Sequence, residues 1–311
     1  HVFFCGTQNM IMVDNIYHLK INPDGTQTNP QIVLTPGSSG EWDDHHTCDP
    51  SVIEGDFKMN DVRYKYAMFF LGNRYGAYYN EIGVAFSNDL DADTWIKYPH
   101  QVVKKTWDYD DDQMIGSNKA WGVGQPSAVS IDHKGVILLT YTIGDVNGTR
   151  IVWAKADFSD MSNYIPANPV PMVKTGLVNI NYTGTDVTNN ADFAIDPANR
   201  KIVIVRPIHP NIDNSYPTHI GNTEEVACLS LDDFYSSTGT WKVMVRITQG
   251  VTGFPRNHNS GIERNSFGEI DNWETPVIYY TVSKAAPDVA PQGTQFAEWT
   301  YHIWRGKVHK E

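Results

Sequence analysis

Asp49-Pro50-Ser51-Val52 recurs in this chain as Gln125-Pro126-Ser127-Ala128, Asp192-Phe193-Ala194-Ile195 and Asn259-Ser260-Gly261-Ile262. Each copy is a polar residue, a spacer, a small residue and an apolar one, and the copies start 76, 67 and 67 residues apart. A repeat at a near-constant period marks a repeat architecture. Behind each copy runs a short apolar segment: Tyr66-Ala67-Met68-Phe69-Phe70, Val136-Ile137-Leu138-Leu139-Thr140-Tyr141, Ile202-Val203-Ile204-Val205 and Val277-Ile278-Tyr279-Tyr280. A third segment follows at Ile82–Ser87, Ile151–Ala156, Val226–Leu231 and Trp299–Trp304. Their β-branched and aromatic residues suit buried strands. The first three end alike, in Asn88-Asp89-Leu90, Asp157-Phe158 and Asp232-Asp233-Phe234, with Trp95, Met161 and Trp241 beyond. No segment sustains a helical period. Three or four strands per unit, separated by Gly, Asn, Asp and Pro turns, predict the blade of a β-propeller.

Residues 1–45 supply a further blade. Val2-Phe3-Phe4-Cys5 and Ile16–Ile21, with the turn Asn22-Pro23-Asp24-Gly25, provide its strands. Its inner strand is expected before His1 or from elsewhere in the chain. The expectation is an all-β, single-domain, five-bladed β-propeller over 1–311. Residues 1–45 form the closing blade, and 46–107, 118–175, 188–247 and 255–311 form the others. Pairing between the chain ends would remove the unpaired edges that invite aggregation. In such a closed fold the leading polar residues Asp49, Gln125, Asp192 and Asn259 converge on one axis.

Composition agrees with one large β domain. Of 311 residues, 19% are charged and 12% aromatic. The net charge of −12 argues against a nucleic-acid or anionic-membrane partner, since both need a basic face. No apolar run approaches the ~18 residues that span a bilayer. A chain beginning at His1 rather than Met reads as processed or trimmed, and a secreted or periplasmic monomer is expected. Three cysteines, Cys5, Cys48 and Cys228, make no disulfide framework. At most one pair forms, and buried thiols are expected. The sequons Asn147-Gly148-Thr149 and Asn181-Tyr182-Thr183 carry no weight without a known host.

The stretch Cys48-Asp49-Pro50-Ser51-Val52-Ile53, then Tyr66–Phe70, Ile82–Leu90, Trp95 and Tyr98-Pro99, resembles the opening blade of the five-bladed glycoside hydrolases. These are the family 43 arabinofuranosidases and xylosidases and their clan relatives. Asp192 in a blade opening, and His258-Asn259-Ser260, are similar too. The resemblance implies two carboxylates flanking a glycosidic bond. Asp49 would be the general base, and Asp192 the second Asp that tunes the site's charge. The chemistry needs one ionised group to take a proton and one protonated group to give it. The competing reading of Asp49 is a turn cap before proline.

The family's acid is a Glu that opens a blade, and none of the four openings holds one. Glu224 and Glu225 open the third segment of the unit beginning at Asp192, where alternation lets only one face a given side. Glu225 is taken as the carboxyl candidate; Glu263 and Glu81 are weaker ones. His258 is the other candidate acid. The resemblance also gives His258 a place beside a calcium or its water on the axis, while a satisfied core histidine is the structural alternative. Gln125 cannot titrate and would hydrogen-bond a sugar hydroxyl. Trp121 would wall a sugar ring or pack between blades. His46, Asn259 and Arg206 complete the expected substrate-binding set.

Two polar clusters stand apart. Asp43-Asp44-His45-His46 runs into the Asp49 motif, with Asp and His as conceivable metal ligands. Asp108-Tyr109-Asp110-Asp111-Asp112 lies in a long connection and lacks EF-hand spacing. The connection 207–222, with His209, Asn211, Tyr216 and His219, has the composition of a sugar-binding lid. The function expected is hydrolysis of a plant or algal polysaccharide or oligosaccharide with inversion, and no cofactor for the chemistry. Two alternatives are a polysaccharide lyase, using Arg206, Arg256, His258 or Tyr141 against a uronate, and a sugar-binding propeller without catalysis.

Overall fold

The computed structural model describes residues 1–7, 13–77, 79–93, 95–105, 121–145, 148–177, 188–208, 221–283 and 302–309. The acidic run 108–112, the connection 209–219, the segment 299–301 and the sequon residues Asn147 and Asn181–Thr183 lie outside them.

Five antiparallel sheets follow one another along the chain. The first is β1 (Val2–Thr7), β2 (Asp14–Leu19) and β3 (Gln31–Leu34). The second is β4 (His46–Met59), β5 (Val62–Asn73), β6 (Glu81–Ser87) and β7 (Ile96–Lys97). The third holds β8 (Gly122–Ser130), β9 (Val136–Asp145), β10 (Gly148–Asp157) and β11 (Val170–Pro171). The fourth holds β12 (Asp192–Asp196), β13 (Lys201–Ile208), β14 (Thr223–Ser230) and β15 (Lys242–Ile247). The fifth is β16 (Arg256–Ile262), β17 (Val277–Ser283) and β18 (His302–Lys307). Each is a meander in chain order. These are the blades of a five-bladed β-propeller. In the first sheet β1 takes the leading place that β4, β8, β12 and β16 take in theirs.

Packing divides the chain into two compact units, His1–Gly148 with Trp153–Val170 and Thr149–Val152 with Pro171–Glu311. In the first unit, Ile16, Val33 and Leu34 of the first sheet pack with Met68, Phe70, Ala85 and Trp95 of the second. Burying each such side chain contributes about 1.5–3 kcal/mol. The second unit has its own core, in which Val203, Val205 and Val226 meet Ile262, Ile278 and Val282. The acidic residues that end the third strands cap turns: Asp89 Oδ1 accepts the Asp91 N–H and Asp157 Oδ1 the Ser159 N–H. The chain at 231–235 departs from strand. Leu231–Tyr235 is a helical turn (α1), because Ser230 Oγ caps the Asp233 N–H at 3.0 Å and Phe234 is buried beneath it.

The repeated phrase marks a recurring bulge. Register breaks between Cys48 and Ser51, between Gly124 and Ser127, and between His258 and Gly261. The leading residue of each bulge is left-handed: φ is 49° at Asp49, 55° at Gln125 and 48° at Asn259. Such backbone costs about 1–3 kcal/mol per residue and persists where neighbours over-determine it.

The third copy is displaced by two residues from where the sequence put it. There the left-handed residue is Asn190, with φ 46°. Asp192 instead pairs with Val205 at the place where Ser51 pairs with Phe69, Ser127 with Thr140 and Gly261 with Tyr279. Side chains confirm the alignment. Ser51 Oγ accepts the Ala128 N–H from the next sheet at 2.9 Å, and Asp192 Oδ2 accepts the Ile262 N–H from the next sheet at 2.7 Å. Asp192 thus occupies the Ser51 position, and Asn190 the Asp49 position.

Candidate functional site

In the first unit, Cys5 on β1 meets Cys48 on β4, and the two form a disulfide with Cα atoms 5.0 Å apart. Only Cys228 remains a buried thiol. The expectation of free thiols fails for this pair because 43 residues of separation in sequence hide a neighbouring-strand contact.

The disulfide abuts Asp49. The Asp49 N–H donates to Cys5 Sγ at 2.8 Å, which holds the left-handed backbone in place. Its Oδ1 lies 3.5 Å from Cys48 Sγ and 3.8 Å from Cys5 Sγ. Sulfur solvates a carboxylate poorly. Burial, followed by the charge of Asp14, pushes the Asp49 carboxyl up to about 7.

Asp14 arrives on β2 and is joined to the strand bearing Asp49 through His46. Its N–H donates to His46 Nδ1 at 3.0 Å, and its Oδ2 lies 3.3 Å from the same nitrogen. His45 meets His46 edge-on at 4.1 Å and Tyr75 edge-on at 5.3 Å. Burial, then the charge of His46, keeps the His45 imidazole below its usual range. Tyr75 is 76% exposed and borders a shallow cavity of about 390 Å³ with Ser39, Gly40, Asp44 and Arg74. Asp43 pairs with Lys97, and Asp44 accepts the Gly40 and Tyr75 N–H groups, so this acidic run shapes its loop.

Gln125 lies on β8 of the third sheet, and Trp121 directly precedes that strand. Trp121 is half-buried, and its indole covers the backbone of Gly144, where an added Cβ would lie 2.1 Å from Nε1. Gly122 is required beside it: φ is 100°, and a Cβ there would meet the Asn80 carbonyl at 2.2 Å. Tyr141 is buried, which pushes its phenol up.

The second unit carries a separate polar cluster. Glu225 is fully buried between Arg206, at 2.9 Å, and Arg246, at 3.1 Å. Arg206 is 1% exposed, so this guanidinium is an internal partner of Glu225. Its neighbour Glu224 faces the other side of β14 and accepts Ser260 Oγ at 2.7 Å on Oε2. Among the described residues Glu224 Oε1 has no hydrogen-bond partner. Burial pushes this carboxyl up to about 8, against smaller opposing effects of Ser260 and Arg206. His258 is 4% exposed, and its Nδ1 accepts the Gly221 N–H at 3.0 Å, which assigns the proton of the neutral ring to Nε2. Asn259 leads the bulge with positive φ. Asp192 adds an ion pair with Arg264 at 3.2 Å to its bond from Ile262.

Among the described residues His258, where a calcium is expected, belongs to no group of three His, Cys, Asp or Glu side chains close enough to share an ion. Calcium takes about six to eight oxygen ligands. Among the described residues, groups of three metal-ligating side chains are His1, His18 and Asp91, and Cys5, Cys48 and Asp49, whose two cysteines are joined in the disulfide.

No family model matches the chain, and no curated protein matches it. Solved structures do. A family 117 glycoside hydrolase from the marine bacterium Zobellia galactanivorans aligns at TM-score 0.55 and 9% identity, over 94% of this chain and 70% of that one. The α-L-arabinofuranosidase Abf62A of Podospora anserina aligns at 0.53 and 10%, over 99% and 86%. The fold is that of the five-bladed β-propeller glycoside hydrolases. An exo-1,5-α-L-arabinanase from a bovine ruminal metagenomic library aligns at 0.52 and 11%, over 99% and 92%. At such identities the likeness concerns the fold, and residue roles rest on local geometry.

Sequence reasoning missed Asp14 and Tyr75 and set Glu224 behind Glu225. No motif marks Asp14 or Tyr75. Glu224 had a signal, since strand alternation puts adjacent glutamates on opposite faces; which face held the arginines was not readable.

Proposed function

We propose that the chain is a glycoside hydrolase acting on a plant or algal polysaccharide or oligosaccharide, with Asp49 as the group that takes a proton from the attacking water. One observation carries this reading: Asp49 leads the bulge of β4 in left-handed backbone, anchored by the disulfide, with its carboxyl near 7. A base must be ionised yet basic enough to accept a proton, and a carboxyl near neutrality meets both needs. Asp14 raises that basicity by placing a second negative charge nearby. The exposed ring of Tyr75, seated against His45, offers an aromatic face on which a sugar can pack. The solved hydrolases of the same fold favour this chemistry over binding alone. The lyase reading loses ground because Arg206 is committed to Glu225 and Tyr141 is buried.

The test is activity on arabinan, xylan, agar and alginate for the native chain and Asp49→Asn. New reducing ends from the native chain alone support the proposal. Equal activity in both removes Asp49 as the base, and an ultraviolet-absorbing unsaturated product identifies a lyase.

A further inference from the structure

A second cluster in the first unit lies apart from Asp49. His1 Nδ1 is 2.9 Å from His18 Nε2 and 3.6 Å from Asp91 Oδ1, and the three ligand atoms all lie within 4.8 Å of one another. They come from three places: the residue before β1, strand β2, and the connection between β6 and β7. We infer that His1, His18 and Asp91 form a binding site for a borderline divalent metal ion of the zinc type, which clips the first sheet to the second.

The donor set suits such an ion. Two imidazoles and one carboxylate match zinc, whereas calcium and magnesium select oxygen ligands. Zinc bonds of about 2.0–2.2 Å in a tetrahedron place ligand atoms about 3.3–3.5 Å apart. The observed separations bracket that spacing. His1 and Asp91 are surface side chains, with 28% and 50% exposure, and have room for the small shifts needed. The fourth position is left to water.

The surroundings hold the ligands in place. The His18 ring is stacked between Phe3, at 4.6 Å, and His1, at 5.1 Å, with the two imidazoles 11° from parallel. Phe3 in turn meets Trp95 edge-on. Lys20 Nζ holds Asp91 Oδ2 at 3.1 Å, leaving Oδ1 on the His1 side. The Asp91 N–H is fixed by Asp89 Oδ1 at 2.9 Å.

The test is titration of the metal-stripped full chain, made without a polyhistidine tag, with Zn²⁺ alone by calorimetry, together with thermal unfolding. The expected result is one ion per chain, a rise in Tm with Zn²⁺, and no rise with Mg²⁺ or Ca²⁺. His1→Gln and Asp91→Asn lie at the surface and keep the fold; each is expected to weaken zinc binding about tenfold or more and to reduce the Tm shift. Absence of stoichiometric binding, or native affinity retained in both variants, overturns the site and leaves a hydrogen-bonded histidine pair.

Discussion

Asp192 accepts the backbone N–H of Ile262 at 2.7 Å, and it does so from the same strand position at which Ser51 accepts Ala128. One job, joining a sheet to the next through its leading strand, is done by a hydroxyl in one unit and by a carboxylate in the other. The carboxylate also holds Arg264. Asp192→Ala is therefore expected to destabilise the protein by about 1–3 kcal/mol, and Ser51→Ala by about 1 kcal/mol. Urea unfolding of the two variants checks this; a silent Asp192→Ala would deny it the joining role.

Asp49 should make both stability and activity depend on pH near neutrality. Its folded carboxyl lies above its unfolded value, so its stabilising contribution is complete below about pH 4 and is lost as pH rises through about 7. Asp49→Asn is expected to remove that slope, which is on the order of 2–4 kcal/mol after allowing for partial exposure. Activity runs the other way, since the base must be ionised: kcat/KM should fall below about pH 7. Denaturant midpoints and a pH–rate profile report the two effects separately.

Glu224 and Glu225 are neighbours in sequence with opposite expected behaviour. Glu225→Gln leaves Arg206 buried without its counter-charge and should cost about 3–5 kcal/mol. Glu224 holds its proton up to about pH 8 when folded but ionises in the usual carboxylate range when unfolded, so Glu224→Gln should be close to neutral in stability only at about pH 4 and below. The contribution of Glu224 is lost as pH rises through 8, so the variant should be the more stable protein at pH 9. Paired chemical denaturation at the two pH values decides it.

The disulfide closes a loop and holds Asp49, the proposed base. Cys5→Ser with Cys48→Ser is expected to lower stability by about 2–4 kcal/mol. Because both sulfurs lie against Asp49 Oδ1, the double variant should also move the acid limb of the pH–rate profile, which a purely structural crosslink would leave in place.

Tyr75 is exposed and carries little of the fold. Tyr75→Ala should leave Tm nearly unchanged and raise KM with kcat retained, as expected for loss of sugar stacking. A fall in kcat alone would contradict that assignment.

The sequence by itself determined the blades. Alternating β-branched strands, polar turns and a recurring four-residue phrase are local signals, and β4, β8, β12 and β16 all lie where the phrase or its neighbour predicts them. It also singled out Asp49. Tertiary structure alone decided what Asp49 and its rivals have as company. The two-residue offset at Asn190 is a matter of strand register, which depends on the partner strand and on the N–H of Ile262 in the next sheet. The Cys5–Cys48 bond and the charge of Asp14 beside Asp49 are contacts between strands far apart in the chain, and the choice of Glu225 over Glu224 as partner of Arg206 follows from the register of β13 with β14. Burial and charge act through space, so Asp49 and Glu224 acquired their raised proton affinities only once the sheets had packed.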